Sequence, residues 1–240
     1  MQRLFIYCCL CFLYFNAASQ KTVNVDEMPS ITGGAINYMY AVAGTPFVNT
    51  KFTRIIEGTP FFKEQMMKGA VILSDGKEYK NIMVRLNLLE SQLNYLDDKQ
   101  NEMIATTPVK EVVIWDTINN KDHRFIFSNY IEATEKPEKD FYELLQSGKA
   151  ELYKQYKKRV LESKPYGSAT TEQSIKTDIK FYLLLQGNWT QVKKMKDLPD
   201  LLLGKRSEIQ KFINEKNLTT GNEASYEEVI SYYNTLVVQQ

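Results

Sequence analysis

Cysteine is nearly missing from this chain. Its three cysteines, Cys8, Cys9 and Cys11, all fall within one apolar run near the N-terminus. Beyond that run there is no thiol, which excludes a disulfide framework, a cysteine nucleophile and thiolate-bound zinc from the remainder. Histidine occurs once, as His123, too few for a zinc site that needs three or four nitrogen, sulfur or acidic ligands. Glycine-rich phosphate cradles of the G-x-G and P-loop kinds are absent, so no cofactor is expected. Charge of one sign is also lacking: thirty Lys and Arg face twenty-nine Asp and Glu, which removes the broad basic footprint of a nucleic-acid binder. Past the N-terminus no apolar stretch approaches the ~20 residues of a spanning helix.

The N-terminus itself is patterned. Met1-Gln2-Arg3 carries one positive charge, Leu4 to Phe15 is apolar, and the small residues Ala17, Ala18 and Ser19 precede Gln20. This is the layout of a secretory signal peptide over residues 1–19, with Ala17 and Ser19 at the two small-residue cleavage positions. The cysteines sit too early, among bulky neighbours, for lipidation. The mature chain is expected to be exported, periplasmic or at the cell surface, with no transmembrane segment and no cysteine.

From Gln20 onward the chain reads as α+β: a mainly antiparallel β-meander, a twisted sheet or partial barrel, with two to three C-terminal α-helices. Residues 20–50 are an extended or flexible segment, where Ile31-Thr32-Gly33-Gly34 suggests a turn and Tyr38-Met39-Tyr40 a short strand. Gly44-Thr45-Pro46-Phe47 recurs as Gly58-Thr59-Pro60-Phe61, which predicts two similar turn-to-strand corners, because proline fixes φ and extends its predecessor. The meander spans 51–163. Ile82, Val84, Leu86 and Leu88 alternate with Asn81, Met83, Arg85 and Asn87, the period of a strand with one buried face. Ser74-Asp75-Gly76 is a hairpin turn, and Val109 to Trp115, apolar on both faces, belongs at the centre of the sheet. Lys164 to Lys176, rich in Ser, Thr, Gly and Pro, reads as a loop or hinge between two lobes. Over 164–240 a hairpin turning at Gly187-Asn188, of type II′, precedes helices. Asp197 is placed to cap a short helix ending at Leu203, Ser207 to Lys216 continues, and Ser225-Tyr226-Glu227-Glu228 reads as a capping box.

Glu57-Gly58-Thr59-Pro60-Phe61-Phe62, Lys68 to Gly76, Arg85-Leu86-Asn87-Leu88-Leu89 and Glu102 to Pro108 resemble a family of uncharacterised exported proteins of Bacteroidota, as do Glu208 to Asn217 and Tyr232-Tyr233-Asn234. The resemblance covers most of the mature chain. It implies an exported Gram-negative protein and brings no catalytic residues.

Few residues point to chemistry. His123, between Asp122 and Arg124, reads as a surface histidine where a polar loop enters a strand. Asp75, Asp97, Asp98, Glu102 and Asp116 lie in predicted turns, and two of them converging in a cleft would suit glycoside hydrolysis. Lys154, Tyr156, Lys157, Lys158 and Arg159, with Tyr153 alongside, form a basic-aromatic candidate surface for anionic lipid or lipopolysaccharide phosphate. Asp116-Thr117-Ile118 is similar to the short O-glycosylation motif of exported Bacteroidota proteins, which makes Thr117 a candidate site. The expected function is a non-enzymatic envelope binding or assembly module whose partner is an envelope protein, glycan or lipid, with the oligomeric state left open. A carboxylate-dependent glycan hydrolase and a lipid-carrying, barrel-like binding protein are the alternatives.

Overall fold

The computed structural model describes residues 22–24, 44–46, 53–164, 166 and 171–238. The expected leader, the turn at Ile31 to Gly34 and the strand at Tyr38 to Tyr40 lie outside those residues.

The sheet grows in two directions from one strand, β4 (Met67–Leu73). On one side β4 pairs antiparallel with β5 (Glu78–Asn87), and the sheet continues through β6 (Gln92–Leu96) and β7 (Glu102–Ala105) to β2 (Gly44–Pro46). On the other side β4 pairs with β8 (Val109–Asp116) and continues through β9 (Lys121–Phe127), β10 (Phe141–Gln146), β11 (Ala150–Ser163) and β12 (Thr171–Leu185) to β13 (Asn188–Val192). Two short strands add in parallel: β1 (Thr22–Asn24) beside β5, and β3 (Thr53–Glu57) beside β12. The path ends on β2 and β13 with no pairing between them, so the sheet is open. A meander therefore describes β4 to β7 and β8 to β13, while the return of β8 to β4, the pairing of β2 with β7 and the two parallel strands depart from it. No helix among the described residues is long and apolar enough to cross a membrane.

Local chemistry accounts for the elements. Val112 and Ile114 of β8 are buried, as expected for a strand flanked on both sides. In β5, Tyr79 faces inward, and so do Val84, Leu86 and then Leu88; the phase changes at Asn81, whose φ of 59° marks a bulge where Ile82 and Lys80 pair with the successive residues Gly69 and Ala70. The β12–β13 turn lies one residue earlier than the sequence suggests. Leu185 pairs with Asn188, so Gln186 and Gly187 form the loop, and their positive φ values (52° and 80°) make it type I′ rather than II′. The expected hinge at Lys164 to Lys176 is corrected too: from Thr171 onward it is strand, held by cross-strand bonding to β11 that outweighs its loop-like composition.

One face of the sheet, the inner face, carries two hydrophobic cores. The first gathers Val71, Val84, Leu93, Val112, Phe125 and Phe141. The second lies further along, where Leu152 and Leu183 meet α1 (Leu198–Leu201), α2 (Arg206–Lys216) and α3 (Glu223–Val238) through Leu198, Ile209, Tyr226 and Val229. The outer face has its own cluster of Ile131, Tyr142, Tyr153 and Leu184, with Trp189 stacked on Tyr182. The first helix ends at Leu201, two residues earlier than expected. Ser225 is not a cap: α3 begins at Glu223, and Asn222 just before it accepts from the Ala224 amide. Asn234 of α3 clamps the start of β11, accepting from the Ala150 N–H and donating to the Ala150 and Ser147 carbonyls. A Cβ at Gly148 would strike the Asn234 amide, so this docking requires glycine.

Candidate functional site

Between the two inner-face cores runs a polar seam centred on His123. Strand alternation puts Lys121, His123 and Phe125 on the inner face of β9, Glu143 beside them on β10, and Lys154 and Tyr156 next on β11. His123 is therefore not the surface histidine expected from its sequence neighbours: only 9% of it is exposed. Its Nδ1 lies 2.5 Å from Glu143 Oε1, and the Tyr156 hydroxyl donates to Glu143 Oε2 at 2.6 Å. The Nδ1 contact fixes the orientation of the imidazole ring against Glu143. Burial, and next the Glu143 charge, push the Tyr156 phenol far above its ordinary value and keep it a donor.

The opposite edge of the ring, Nε2, stands 3.8 Å from Asp116 Oδ2. Asp116 closes the β8–β9 turn: its Oδ1 accepts from the Ile118 and Asn119 amides, and its Oδ2 from the Asn119 side chain at 2.7 Å. These bonds, the side-chain one foremost, together with Lys63 at 3.5 Å, hold its carboxyl down at about 2. Phe62 roofs the seam, its ring edge-on to His123, Phe125 and Tyr156 at 4.8, 4.9 and 5.3 Å. On the helix side Glu223 receives Lys121 at 2.7 Å and Lys154 at 2.5 Å. Burial pushes the Glu223 carboxyl up, but the two lysines outweigh it and hold it below its ordinary value.

A histidine oriented by a buried acid is two thirds of a hydrolytic triad. The hydroxyl beside it, Tyr156, is turned to the same carboxylate, and Nε2 faces Asp116 rather than a nucleophile. The seam's geometry thus suits fastening: it ties β8, β9, β10, β11, the loop before β4 and the helical layer together.

The turn carboxylates divide. Asp75 pairs with Lys77 in the β4–β5 turn. Asp97 and Glu102 line one hollow of about 690 Å³, the convergence a glycan hydrolase would use. Both are committed, however. Asp97 accepts from the Lys99 and Asn101 amides and the Asn101 side chain; Glu102 takes Arg85 Nη2 on both oxygens and Asn94 on one. The Asn101 side chain first, with those amides, holds Asp97 below its ordinary value. Asp98 and Asp116 do not line this hollow, and among the described residues no group of three or more His, Cys, Asp or Glu is placed to hold a metal.

The basic-aromatic stretch is not one surface. Lys154, Tyr156 and Lys158 face inward and Lys157 and Arg159 outward, because residues alternate along β11. Lys154 binds Glu223, Lys157 binds Glu138 and Arg159 binds Asp178, while burial lowers the Lys158 ammonium. Thr117 is exposed in the β8–β9 turn beside Ile118, which is 81% exposed. Sequence reasoning missed Glu143 and Glu223 entirely. A signal was there for the first, since Phe141, Glu143 and Leu145 share the inward phase of β10.

Compared with known proteins, the chain matches no family model, no curated protein and no solved structure.

Proposed function

We propose that this is an exported envelope protein of the Bacteroidota kind that works by binding or assembly rather than turnover. The observation that carries the reading is where apolar surface remains uncovered. Of seven large apolar side chains exposed among the described residues, five (Ile55, Ile56, Leu161, Tyr166 and Ile179) lie on the tab formed by β3, the far ends of β11 and β12 and their connection, with Leu161 on its outer face and Ile179 on its inner face. Exposed apolar residues concentrated on one element, on both of its faces, suit a partner that grips it from two sides. The leader-like residues 1–19 support export, and Thr117 stays open to modification in its turn. A photo-crosslinking residue placed at Leu161 or Ile179 in the native host should yield adducts that the same residue at Leu203 does not. Equal labelling at all three positions would defeat the proposal. N-terminal sequencing of the mature protein should begin at Gln20.

A carboxylate-dependent glycan hydrolase is the second reading, and the hollow shared by Asp97 and Glu102 favours it. A general acid needs a carboxyl raised towards neutrality, and Asp97 is held in the other direction. If the wild-type protein released reducing ends from envelope polysaccharide and both Asp97→Asn and Glu102→Gln abolished that release, this reading would replace the first.

A further inference from the structure

A second hollow opens at the end of the first core, bounded by the β5–β6 turn, the Thr106 to Pro108 link and the segment after β9. Its volume is about 270 Å³, just below the roughly 300–1,000 Å³ of common ligand sites and so sized for a small molecule. The floor is apolar: Leu93, Val109, Phe127 and Phe141, with the two phenyl rings 4.9 Å apart.

The rim is polar and of one sign. Gln92 and Asn129 offer hydrogen bonds, Ser91 is already donating to Asp140, and Lys139 is the one charged residue lining the hollow. Lys139 is exposed and makes no ion pair among the described residues. A second ammonium stands close, since Lys136 Nζ donates to the Ile131 carbonyl at 2.9 Å and reaches that of Asn129 at 3.5 Å. The adjoining acid does not line the hollow and is fully committed. Asp140 Oδ1 accepts from the Phe141 amide and the Ser91 hydroxyl, its Oδ2 accepts from Gln155, and burial raises its carboxyl towards the neutral form.

We infer that this hollow binds a small amphipathic carboxylate, with a short acyl body against the Phe127 and Phe141 rings and the anionic head at Lys139. An apolar floor selects the body, and the cation on the rim, with Lys136 behind it, selects the sign of the head. The site uses none of the tab residues, so it stands or falls separately from the binding function proposed above.

Sodium octanoate is the probe, titrated into the mature full-length protein and followed by calorimetry and by amide NMR shifts. Saturable binding is expected, with the largest shifts at Ser91, Gln92, Asn129 and Lys139. Octanol should bind about tenfold more weakly and octylammonium more weakly still. Lys139→Met should reduce octanoate to the level of octanol, and Asn129→Trp, which crowds the rim, should abolish binding while circular dichroism stays unchanged. The inference is overturned by an absence of saturable binding, by shifts confined to other residues, by octylammonium binding as tightly as octanoate, or by Lys139→Met leaving octanoate affinity intact.

Discussion

The two halves of the β11–β12 hairpin differ in everything except their hydrogen bonding. The register runs unbroken from Ala150 opposite Leu185 to Ser163 opposite Glu172. In the near half Leu152 and Leu183 are buried under helices, with Tyr153 and Leu184 covered on the outer face. In the far half Leu161 stands exposed, and side chains pair through Arg159 with Asp178 and Gln173 with Glu162. The same backbone ladder thus holds under the helical core and beyond it, where Ile175 is buried and Leu161 is not. The far half draws on the near half, on β3, and on the close passage of Gly58, where a Cβ would strike the Ile175 carbonyl. Tyr156, bound to Glu143, sits at the changeover.

The contrast can be broken from its buried end. Leu152→Ala should cost about 2–5 kcal/mol in chemical denaturation, since it removes a fully buried side chain between sheet and helices. At the changeover, Glu143→Gln should cost about 1–3 kcal/mol. His123 Nδ1 and the Tyr156 hydroxyl meet the two carboxylate oxygens, and glutamine replaces one of those oxygens with an NH₂ and removes the charge between them.

Asp116 sharpens the picture by pH. Its folded value of about 2 lies below the ordinary 3.8, so its contribution is present above pH 3.8 and is lost as pH falls from there towards 2. The difference in melting temperature between wild type and Asp116→Asn should be full at pH 5 and close across that interval. In the far half Arg159→Ala should cost no more than about 1 kcal/mol, the ordinary worth of an exposed pair. Leu161→Ser should change stability by less than about 0.5 kcal/mol. A loss at Leu161 as large as that at Leu152 would show that the far half has a covering partner even in the isolated protein.

Much of the architecture was legible because it is local. The inward run Val84, Leu86, Leu88 shows its period directly, Asp75-Gly76 marks its turn, and Tyr226, Val229, Ile230 and Tyr233 announce a helix. What was hidden depends on distant partners. Nothing near Met67 to Leu73 says that β8 will return to pair with it, nor that Thr171 to Ser174 will find a parallel strand more than a hundred residues earlier. The seam was hidden for a related reason. Asp122 and Arg124 make His123 look solvated, yet they occupy the opposite face, and His123 shares its phase with Phe125 and Phe127. Reading every second residue reveals the burial; reading neighbours conceals it.

The parallel pairing of β3 with β12 also sets a timetable. Synthesis proceeds from the N-terminus, so Thr53 to Glu57 emerge long before Thr171 to Ser174 exist to receive them. During that interval Ile55 and Ile56 wait as an unclaimed strand, and pairings between such distant segments are slow to form. A holdase that grips nascent chains would find its longest window here, and the order of arrival, more than the final fold, decides when this protein is most exposed to aggregation.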